Sequence, residues 1–231
     1  MRYEILKKVY KGIDSSIIDK LDIYIELLKK WNEKFNLTAI LEDEQIIRKH
    51  FYDSLIFSIN FKLDNQSVLD IGTGAGFPGV VLKIFYPNLK ITLLESNNKK
   101  VIFLKEVIKK LELKNITIVN DRSESYSIGN KETFDIVTSR AVAQLNILLE
   151  IGVQALKING YFIALKGKNY LEEIKNLNSQ ESLIGLKLET SQVVEEDGLG
   201  LRANLFYKKV RCTPIEYPRS YNKIKKRPLG E

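Results

Sequence analysis

The sequence predicts an α/β fold in which a mostly parallel sheet follows a helical amino-terminal segment. Over the first 60 residues, apolar side chains recur at the three-to-four spacing of a helix face. From Ser67 onward, short apolar runs alternate with helical stretches, which is the pattern of successive βα units. A glycine-containing turn near residue 198 then separates two further runs and predicts a closing antiparallel hairpin.

The amino-terminal segment is predicted to form two helices. Asp14 or Ser15 can cap the first helix, whose apolar positions span residues 17–35. Trp31 falls on this apolar face, so we expect it to pack in the core rather than to stack on a base. The second helix is predicted over Asp43–Ile59.

Strands and helices are predicted to alternate after residue 60, which implies a sheet covered by helices on both faces. The predicted strands are Ser67–Ile71, Lys90–Glu95, Ile116–Asn120, Phe134–Ser139 and Gly160–Lys166. The predicted helices are Gly79–Tyr86, Lys99–Leu111, Leu145–Lys157 and Asn169–Asn178. The hairpin strands are predicted at Leu186–Val194 and Ala203–Val210.

Composition excludes several classes of protein. The chain has 231 residues, of which 44% are hydrophobic, so it can bury a core. One Cys and one His exclude a disulfide framework, a zinc site of several cysteines and a multi-histidine metal centre. The sequence shows neither the ~20 apolar residues of a transmembrane helix nor the apolar stretch of a signal peptide. We therefore expect a cytoplasmic protein that binds no metal and no membrane.

Most of the net charge lies near the carboxyl terminus. There are 36 basic and 29 acidic residues, which gives a net charge of +7. The last 24 residues, from Lys208, hold eight basic and two acidic residues and therefore carry +6 of it. A basic tail with Tyr217 and Tyr221 among its charges is expected to contact a polyanion such as RNA. The alternative is a solvated tail that only improves solubility.

A glycine-rich loop follows the first predicted strand. Its glycines, Gly72, Gly74 and Gly76, have the spacing G-x-G-x-G. The dinucleotide fingerprint would need a glycine where Phe77 stands, and Asp70 before the loop would not help to bind a pyrophosphate. A cationic ligand with an adenosine suits the loop better, which indicates S-adenosylmethionine. A plain tight turn is the alternative.

Polar residues follow the next two strands. Glu95 ends the second strand, 23 residues after Gly72, where a carboxylate can accept both ribose hydroxyl protons. Residues 120–124 follow the third strand, where an adenine edge can be bound. Because the carboxyl ends of parallel strands meet at one edge of the sheet, these residues and the glycine loop are expected to form one donor site. The alternative for Glu95 is an ordinary strand-end acid.

A set of motifs spread over nearly the whole chain carries a resemblance to a known family. The motifs are Trp31–Ile40, His50 with Asp53–Leu55, Asp70–Gly79, Glu95–Ser96, Lys99–Lys100, Phe103–Leu104, Arg122 with Glu124, Ser139–Ala141, Lys166–Gly167, Tyr217–Arg219 and Pro228–Leu229. Together they resemble the RsmG/GidB family of bacterial 16S rRNA guanine-N7 methyltransferases. The Gly-Phe-Pro-Gly, Asn-Leu-Thr and Tyr-Pro-Arg segments are more specific to it than the glycine loop alone.

The resemblance implies the seven-stranded, Rossmann-like fold of class I S-adenosylmethionine-dependent methyltransferases, with an antiparallel last hairpin. It implies methylation of N7 of one guanine in 16S rRNA, in the small ribosomal subunit or its precursor. The chain would then comprise a helical cap (1–60), a methyltransferase domain (61–211) and a basic tail (212–231) that packs on or near the RNA site. We expect a monomer.

The family pattern also implies roles for single residues. Gly72 and Phe77 would contact the donor. Ser123 and Glu124 stand where the family meets the adenine, and Arg140 where it lines the cleft of cofactor and substrate. With Gly74 and Glu95, which follow from the loop and the strand-end pattern, the predicted cofactor-binding residues are Gly72, Gly74, Phe77, Glu95, Ser123, Glu124 and Arg140.

The chain departs from the family at two places. The family commonly has Ala where Ser123 stands, which matters little if the backbone amide makes the contact. In the tail, Ser220–Ile224 stand where the family usually has a glycine and an extra proline, so the resemblance does not fix the path of the tail.

Guanine N7 carries an exposed lone pair and no proton, so its attack on a sulfonium methyl group needs no general base. The enzyme must mainly align the nucleophile, the methyl carbon and the sulfur. Arg140 is the predicted catalytic residue and would act by positioning, because its guanidinium can donate to guanine O6 or hold a phosphate. The alternative for Arg140 is a salt bridge to a helix end.

The residues predicted to contact RNA include the only histidine. His50 and Asp53 share a helix face and would suit a general base, but we prefer a role for His50 in joining the cap to the sheet or in contacting RNA. Asn36 and Thr38 lie at a helix end, where capping is the alternative. The predicted RNA-binding residues are Asn36, Thr38, His50, Lys166, Arg219, Lys225 and Lys226.

Two other functions stay open at this point. One is a methyltransferase of the same fold that acts on another RNA position or on a small molecule. The other is a non-catalytic RNA-binding assembly module, against which the intact glycine loop and Glu95 argue.

Overall fold

The computed structural model describes residues 2–231, whose strands form one mixed sheet. The strands are β1 (Ser67–Ile71), β2 (Lys90–Leu94), β3 (Ile116–Val119), β4 (Phe134–Arg140), β5 (Leu156–Lys166), β6 (Leu186–Glu196) and β7 (Gly200–Lys209). They lie in the order β3-β2-β1-β4-β5-β7-β6. Strands β1 to β5 pair in parallel, whereas β7 is antiparallel to both β5 and β6. The predicted parallel sheet with a final antiparallel hairpin is confirmed.

Helices precede the sheet and connect its strands. They are α1 (Ser15–Phe35), α2 (Asp43–Ile46), α3 (Asp53–Leu55), α4 (Gly79–Phe85), α5 (Asn98–Lys110), α6 (Ser123–Gly129), α7 (Leu145–Gly152), α8 (Tyr170–Leu177) and α9 (Tyr221–Lys226). The Asp14 carboxylate accepts a hydrogen bond from the Ile17 amide at 2.9 Å and so caps α1, as predicted. Among residues 2–231, no helix is both long and apolar enough to cross a membrane.

The segment predicted as one helix over Asp43–Ile59 is helical throughout but changes type. A π-helical turn, Ile47–Tyr52, lies between α2 and α3, and a 3-10 turn, Ile56–Ile59, follows α3. His50 lies within the π turn. Such widened turns occur often at functional sites.

Three local features differ from the predicted elements. Helices α6 and α9 lack an apolar stripe, since each is short and buries a single side chain, Ser127 and Ile224 respectively. The helix predicted over 145–157 ends early at Gly152. After a short 3-10 turn, Leu156 begins β5 because it pairs with Phe134 of β4. Pairing with the neighbouring strand overrides the helical pattern there.

The core has one part on each face of the sheet. On one face, α1 and the π turn pack against α4 and α5, and they bury Tyr24, Phe51 and Phe103. On the other face, α7, α8 and the tail bury Leu149 and Ile224. The helical cap (1–60) therefore shares a continuous core with the sheet.

The tail (212–231) packs on the protein along much of its length. The Gln154 side-chain amide donates to the Tyr217 carbonyl at 2.6 Å. Ile224 and Leu229 are buried against α7 and α8. A wholly solvated tail is therefore excluded, although the lysines of α9 remain exposed.

Candidate active site

The glycine loop leaves β1 at the point where the strand order reverses. Strands β2 and β4 flank β1 on its two sides, so the carboxyl ends of the strands form a crevice there. Gly72 and Gly74 have φ values of 61° and 62°, which favour glycine. A Cβ atom at Gly74 would have no neighbour nearer than 3.8 Å, so the backbone is open to a ligand at this position.

Asp70 fastens the loop to the start of α4. Its buried Oδ2 accepts hydrogen bonds from Thr73 Oγ1 at 2.6 Å and from the Gly79 amide at 2.8 Å. Burial raises the pKa of this carboxyl to about 7, although both hydrogen bonds favour its ionised form. Asp70 therefore fixes the conformation of the loop through these two hydrogen bonds and does not face the ligand crevice.

Glu95 joins the end of β2 to the glycine loop. Its Oε2 accepts a hydrogen bond from the Gly74 amide at 2.9 Å, and its Oε1 accepts one from the Asn97 amide at 2.8 Å. A carboxylate has about four acceptor positions, so two remain for hydroxyl donors. The structure thus brings together two predicted donor-binding residues and keeps acceptor capacity beside the open backbone of Gly74.

A small crevice of about 90 Å³ lies on the other side of the loop. Gly72, Ser123 and Glu124, three of the residues predicted to bind the donor, line it. The exposed side chains of Val142 and Tyr221 also line it. Pockets for small ligands usually measure ~300–1,000 Å³, so a nucleoside would have to displace one of these exposed walls.

The Phe77 side chain lies in the core rather than in the crevice. Its ring stacks on His50, with 4.4 Å between centroids, and on Tyr24, with 5.5 Å. Only 5% of the residue is exposed. If Phe77 contacts the donor as predicted, it must do so with its backbone.

Arg140 at the end of β4 connects the sheet to the helical cap. Its guanidinium donates to the Lys49 carbonyl at 2.9 Å, to Asp53 Oδ2 at 3.0 Å and to His50 Nδ1 at 3.1 Å. Asp53 also binds Arg202 Nε at 3.0 Å. The salt bridge considered as the alternative for Arg140 therefore exists, but it uses only part of the guanidinium.

His50 is a neutral, structural member of this cluster. Because the guanidinium of Arg140 can only donate, His50 Nδ1 accepts, and Nε2 donates to Thr38 Oγ1 at 2.9 Å. Burial, together with the positive charge of Arg140, lowers the pKa of His50 to about 3. Asp53 binds Arg140 and Arg202 and makes no hydrogen bond to His50. The geometry of a His–Asp general base is therefore absent, and His50 instead links the cap to Arg140 of the sheet.

A cavity of about 390 Å³ opens beside this cluster. The predicted residues His50, Arg140 and Lys166 line it, together with Glu173 and Arg202. Lys166 is already paired, because its ammonium donates to Glu173 Oε2 at 2.6 Å and to a backbone carbonyl. Burial lowers the pKa of Lys166. A phosphate contact by Lys166 would thus have to replace an internal ion pair.

The other predicted RNA contacts lie apart from this cavity. Asn36 is exposed and ends α1 in the left-handed conformation. Arg219 binds the fully buried Glu150, with Nε at 2.8 Å and a terminal nitrogen at 2.6 Å. This internal pairing argues against a phosphate contact by Arg219. Lys225 and Lys226 are exposed on α9.

Arg202 and Glu173 line the cavity as well and were not predicted as site residues. Arg202 stands near the start of β7, next to Ala203, which pairs with Lys166 at the end of β5. Because β7 is antiparallel, its first residues lie at the carboxyl edge of the parallel strands. The predicted hairpin was therefore sufficient to place Arg202 near the end of β5, at the edge of the sheet where the site lies. Glu173 lies one helical turn into α8, where an acid is common, so its sequence position carried no signal.

Solved structures share this architecture at low sequence identity. A SAM-dependent methyltransferase from Aquifex aeolicus matches with a TM-score of 0.53 and 19% identity over 71% of this chain and 93% of its own. TYW2 from M. jannaschii, in complex with AdoMet, matches with a TM-score of 0.52 and 15% identity over 88% of this chain and 81% of its own. These likenesses confirm the predicted class I methyltransferase fold.

Sequence relatives are much more similar. "Ribosomal RNA small subunit methyltransferase G" of Mycoplasma capricolum is 52% identical over 214 residues, which cover 93% of this chain and 92% of that protein. The protein of the same name from Clostridium perfringens is 40% identical over 98% of both chains. The profile of the family described as "GidB: rRNA small subunit methyltransferase G" matches residues 17–200. With this match over most of its length, the chain belongs to the GidB family.

Proposed function

We propose that this protein transfers a methyl group from S-adenosylmethionine to N7 of one guanine in 16S rRNA, as its family membership and its site support. One observation carries the proposal: the Gly74–Glu95 arrangement and the cavity beside Arg140 open at the same edge of the sheet. A donor bound at the first and a base bound at the second would be neighbours.

The residues around the glycine loop fit the donor. The backbone of Gly72 and Gly74 would follow the methionine part, and the free lone pairs of Glu95 would accept the ribose hydroxyls. The Ser123 amide and Glu124 would face the adenine in the small crevice. When bound, S-adenosylmethionine supplies an electrophilic methyl group on a sulfonium.

The larger cavity suits a single nucleotide turned out of its RNA strand. Its ~390 Å³ lie within the usual range of ligand pockets. Arg140 uses three of its five N–H donors inside the protein, so two remain to hold guanine O6. This contact would orient the base, which is the role predicted for Arg140.

The cavity lacks a free proton acceptor among its described lining residues, which favours methylation of N7 over methylation of an exocyclic amine. Among the described residues that line it, His50 is neutral with both nitrogens engaged, Asp53 binds two arginines and Glu173 binds Lys166. None of these carboxylates or the imidazole is therefore available to act as a general base. N7 has no proton to remove, so alignment is sufficient.

The RNA partner is 16S rRNA in the small subunit or its precursor, which a cytoplasmic monomer would meet. Asn36 and the exposed Lys225 and Lys226 are residues we propose for RNA contact. We also propose Thr38, because its hydroxyl accepts bonds from His50 and the Ile40 amide and can still donate its proton. His50, Lys166 and Arg219 would support the site from within, since their polar groups are already paired.

The test uses ribosomal subunits from cells that lack this protein. Purified protein and S-adenosylmethionine are added to naked 16S rRNA, to precursor particles and to complete small subunits, and modified guanines are mapped by mass. We expect one guanine to gain a methyl group at N7, which makes the strand sensitive to borohydride and aniline. A methylated guanine that resists this cleavage, or methylation of a small molecule only, would contradict the proposal.

A further inference from the structure

Tyr221 is the residue of the tail that reaches the small crevice beside the glycine loop. It is the first residue of α9, and it lines the crevice together with Gly72, Ser123 and Val142. The other walls come from the ends of β1 and β2, from the loops after β3 and β4, from the start of α6 and from Ile151 of α7. The tail thus adds a wall to the region that the proposed function gives to the adenosine.

The start of α9 is fixed to the body of the protein. Two residues earlier, the backbone amide of Arg219 donates to Glu150 at 2.9 Å, and its side chain makes two further bonds to the same carboxylate. Three residues later, Ile224 is fully buried. Tyr221 itself is 37% exposed. An anchored backbone therefore holds a partly exposed aromatic side chain beside the crevice.

We propose that Tyr221 is a donor-binding residue whose ring covers the nucleoside of S-adenosylmethionine and thereby sets the affinity for the donor. The ring offers a purine the flat, apolar surface on which bases stack. The narrow crevice opens when Tyr221 and Val142, both exposed, move apart around the purine. This inference rests on the donor site proposed above.

The aromatic wall gives the tail a function besides RNA contact, because the segment that carries the basic residues also closes the proposed donor site.

The experiment measures binding of S-adenosylhomocysteine and of adenosine to the full-length protein by calorimetry. Tyr221→Ala should raise the Kd of both ligands about tenfold, as expected for loss of one stacking contact. Tyr221→Phe should bind within about twofold of the unmodified protein, because the ring is kept. The control Asn222→Ala alters the next, exposed residue of α9 and should change neither ligand's Kd.

Kinetics separate binding from a general effect on the fold. Tyr221→Ala should raise KM for S-adenosylmethionine with little change in kcat at saturating donor. An unchanged Kd for Tyr221→Ala, or an equal loss in Tyr221→Phe, would overturn the role of the ring. If Glu95→Ala weakens binding while Tyr221→Ala does not, the donor site stands and Tyr221 is no part of it. If neither variant weakens binding, the donor site itself is misplaced.

Discussion

The His50 imidazole must be neutral to accept a hydrogen bond from Arg140. Arg140 donates to Nδ1 at 3.1 Å, and the Phe77 ring stacks on the imidazole with 4.4 Å between centroids. A proton on Nδ1 would remove the acceptor of Arg140 and bring two positive charges together. The residue therefore holds Arg140 in place, and positioning of this kind is what N7 methylation requires.

At this scale, we expect His50→Ala to retain measurable methyl transfer at saturating RNA, because no proton has to be removed from N7. The rate of methyl transfer is measured under single-turnover conditions, and the midpoint of thermal unfolding shows whether the variant is folded. Loss of turnover with unchanged affinities for RNA and donor would mean that His50 takes part in the chemistry.

The lowered pKa of His50 predicts acid sensitivity of the fold. Its pKa is about 3 in the folded protein and 6.5 in the unfolded chain, so the unfolded state binds more protons between these values. His50 therefore contributes stability that is fully present above pH 6.5 and is lost as the pH drops towards 3. Between pH 7 and pH 5 this contribution should fall by about 2 kcal/mol. The raised pKa of Asp70 acts in the opposite direction, so the contribution of His50 is measured as the difference between the protein and its variant. Urea unfolding of His50→Gln should lack this loss; an identical pH dependence in the variant would assign it to other groups.

Glu95 links donor affinity to one carboxylate. Glu95→Ala removes the acceptors of the Gly74 and Asn97 amides together with those proposed for the ribose. We expect donor binding to weaken by about tenfold or more while RNA affinity stays nearly unchanged. Glu95→Gln keeps one acceptor oxygen, so its donor affinity should lie between those of the unmodified protein and Glu95→Ala. Equal loss of donor and RNA affinity would contradict the ribose role.

At the scale of elements, helix α9 separates the two roles of the tail. Its buried Ile224 attaches it to the second core, whereas Lys225 and Lys226 are exposed. Deleting the tail would uncover that core and leave the buried Glu150 without Arg219, which costs roughly 3–5 kcal/mol for a buried pair. Neutralising the lysines tests RNA contact without that damage.

We therefore expect the double variant Lys225→Gln, Lys226→Gln to weaken RNA binding and to lower the slope of log Kd against log salt by about 1.5. The matched control is Lys109→Gln, Lys110→Gln, which removes the same charge at the end of α5. Helix α5 starts at the carboxyl edge of the sheet and ends at the opposite edge, so its end lies away from the site. If both double variants give the same slope of log Kd against log salt, α9 does not contact the RNA.

At the scale of the whole molecule, the cap and the sheet form one packed unit. Trp31, the only tryptophan, packs on Phe35 at 5.3 Å and on Phe103 of α5 at 6.0 Å. It is half-buried against the core, as predicted. Its fluorescence therefore reports the docking of α1 on the methyltransferase domain.

A shared core should unfold in one step. We expect Trp31 fluorescence and far-ultraviolet circular dichroism to give the same urea midpoint. Leu82→Ala in α4, a fully buried residue, should shift both midpoints together. Fluorescence that changes at a lower urea concentration than the dichroism would show that the helical cap (1–60) is a separate folding unit.

Much of the fold was predictable because its signals are local. The alternation of strands and helices, the Asp14 cap and the hairpin all follow from side chains close in sequence. The short helices α6 and α9 and the early start of β5 were not predictable, because a neighbouring strand or a distant core decides them. The glycine loop and Glu95 were found for the same reason as the strands, since they mark strand ends.

The fold class, the family and the absence of a histidine pair or a cysteine cluster follow from the order of the residues alone. Which charged groups are unpaired depends on contacts that form only in the folded protein. Arg140 meets Asp53 across 87 positions, and Arg219 meets Glu150 across 69. Such pairs form between residues that the sheet order brings together, and no local pattern encodes them. Their formation leaves no unpaired carboxylate or imidazole among the described residues that line the cavity, and it fixes the tail beside the small crevice next to the glycine loop.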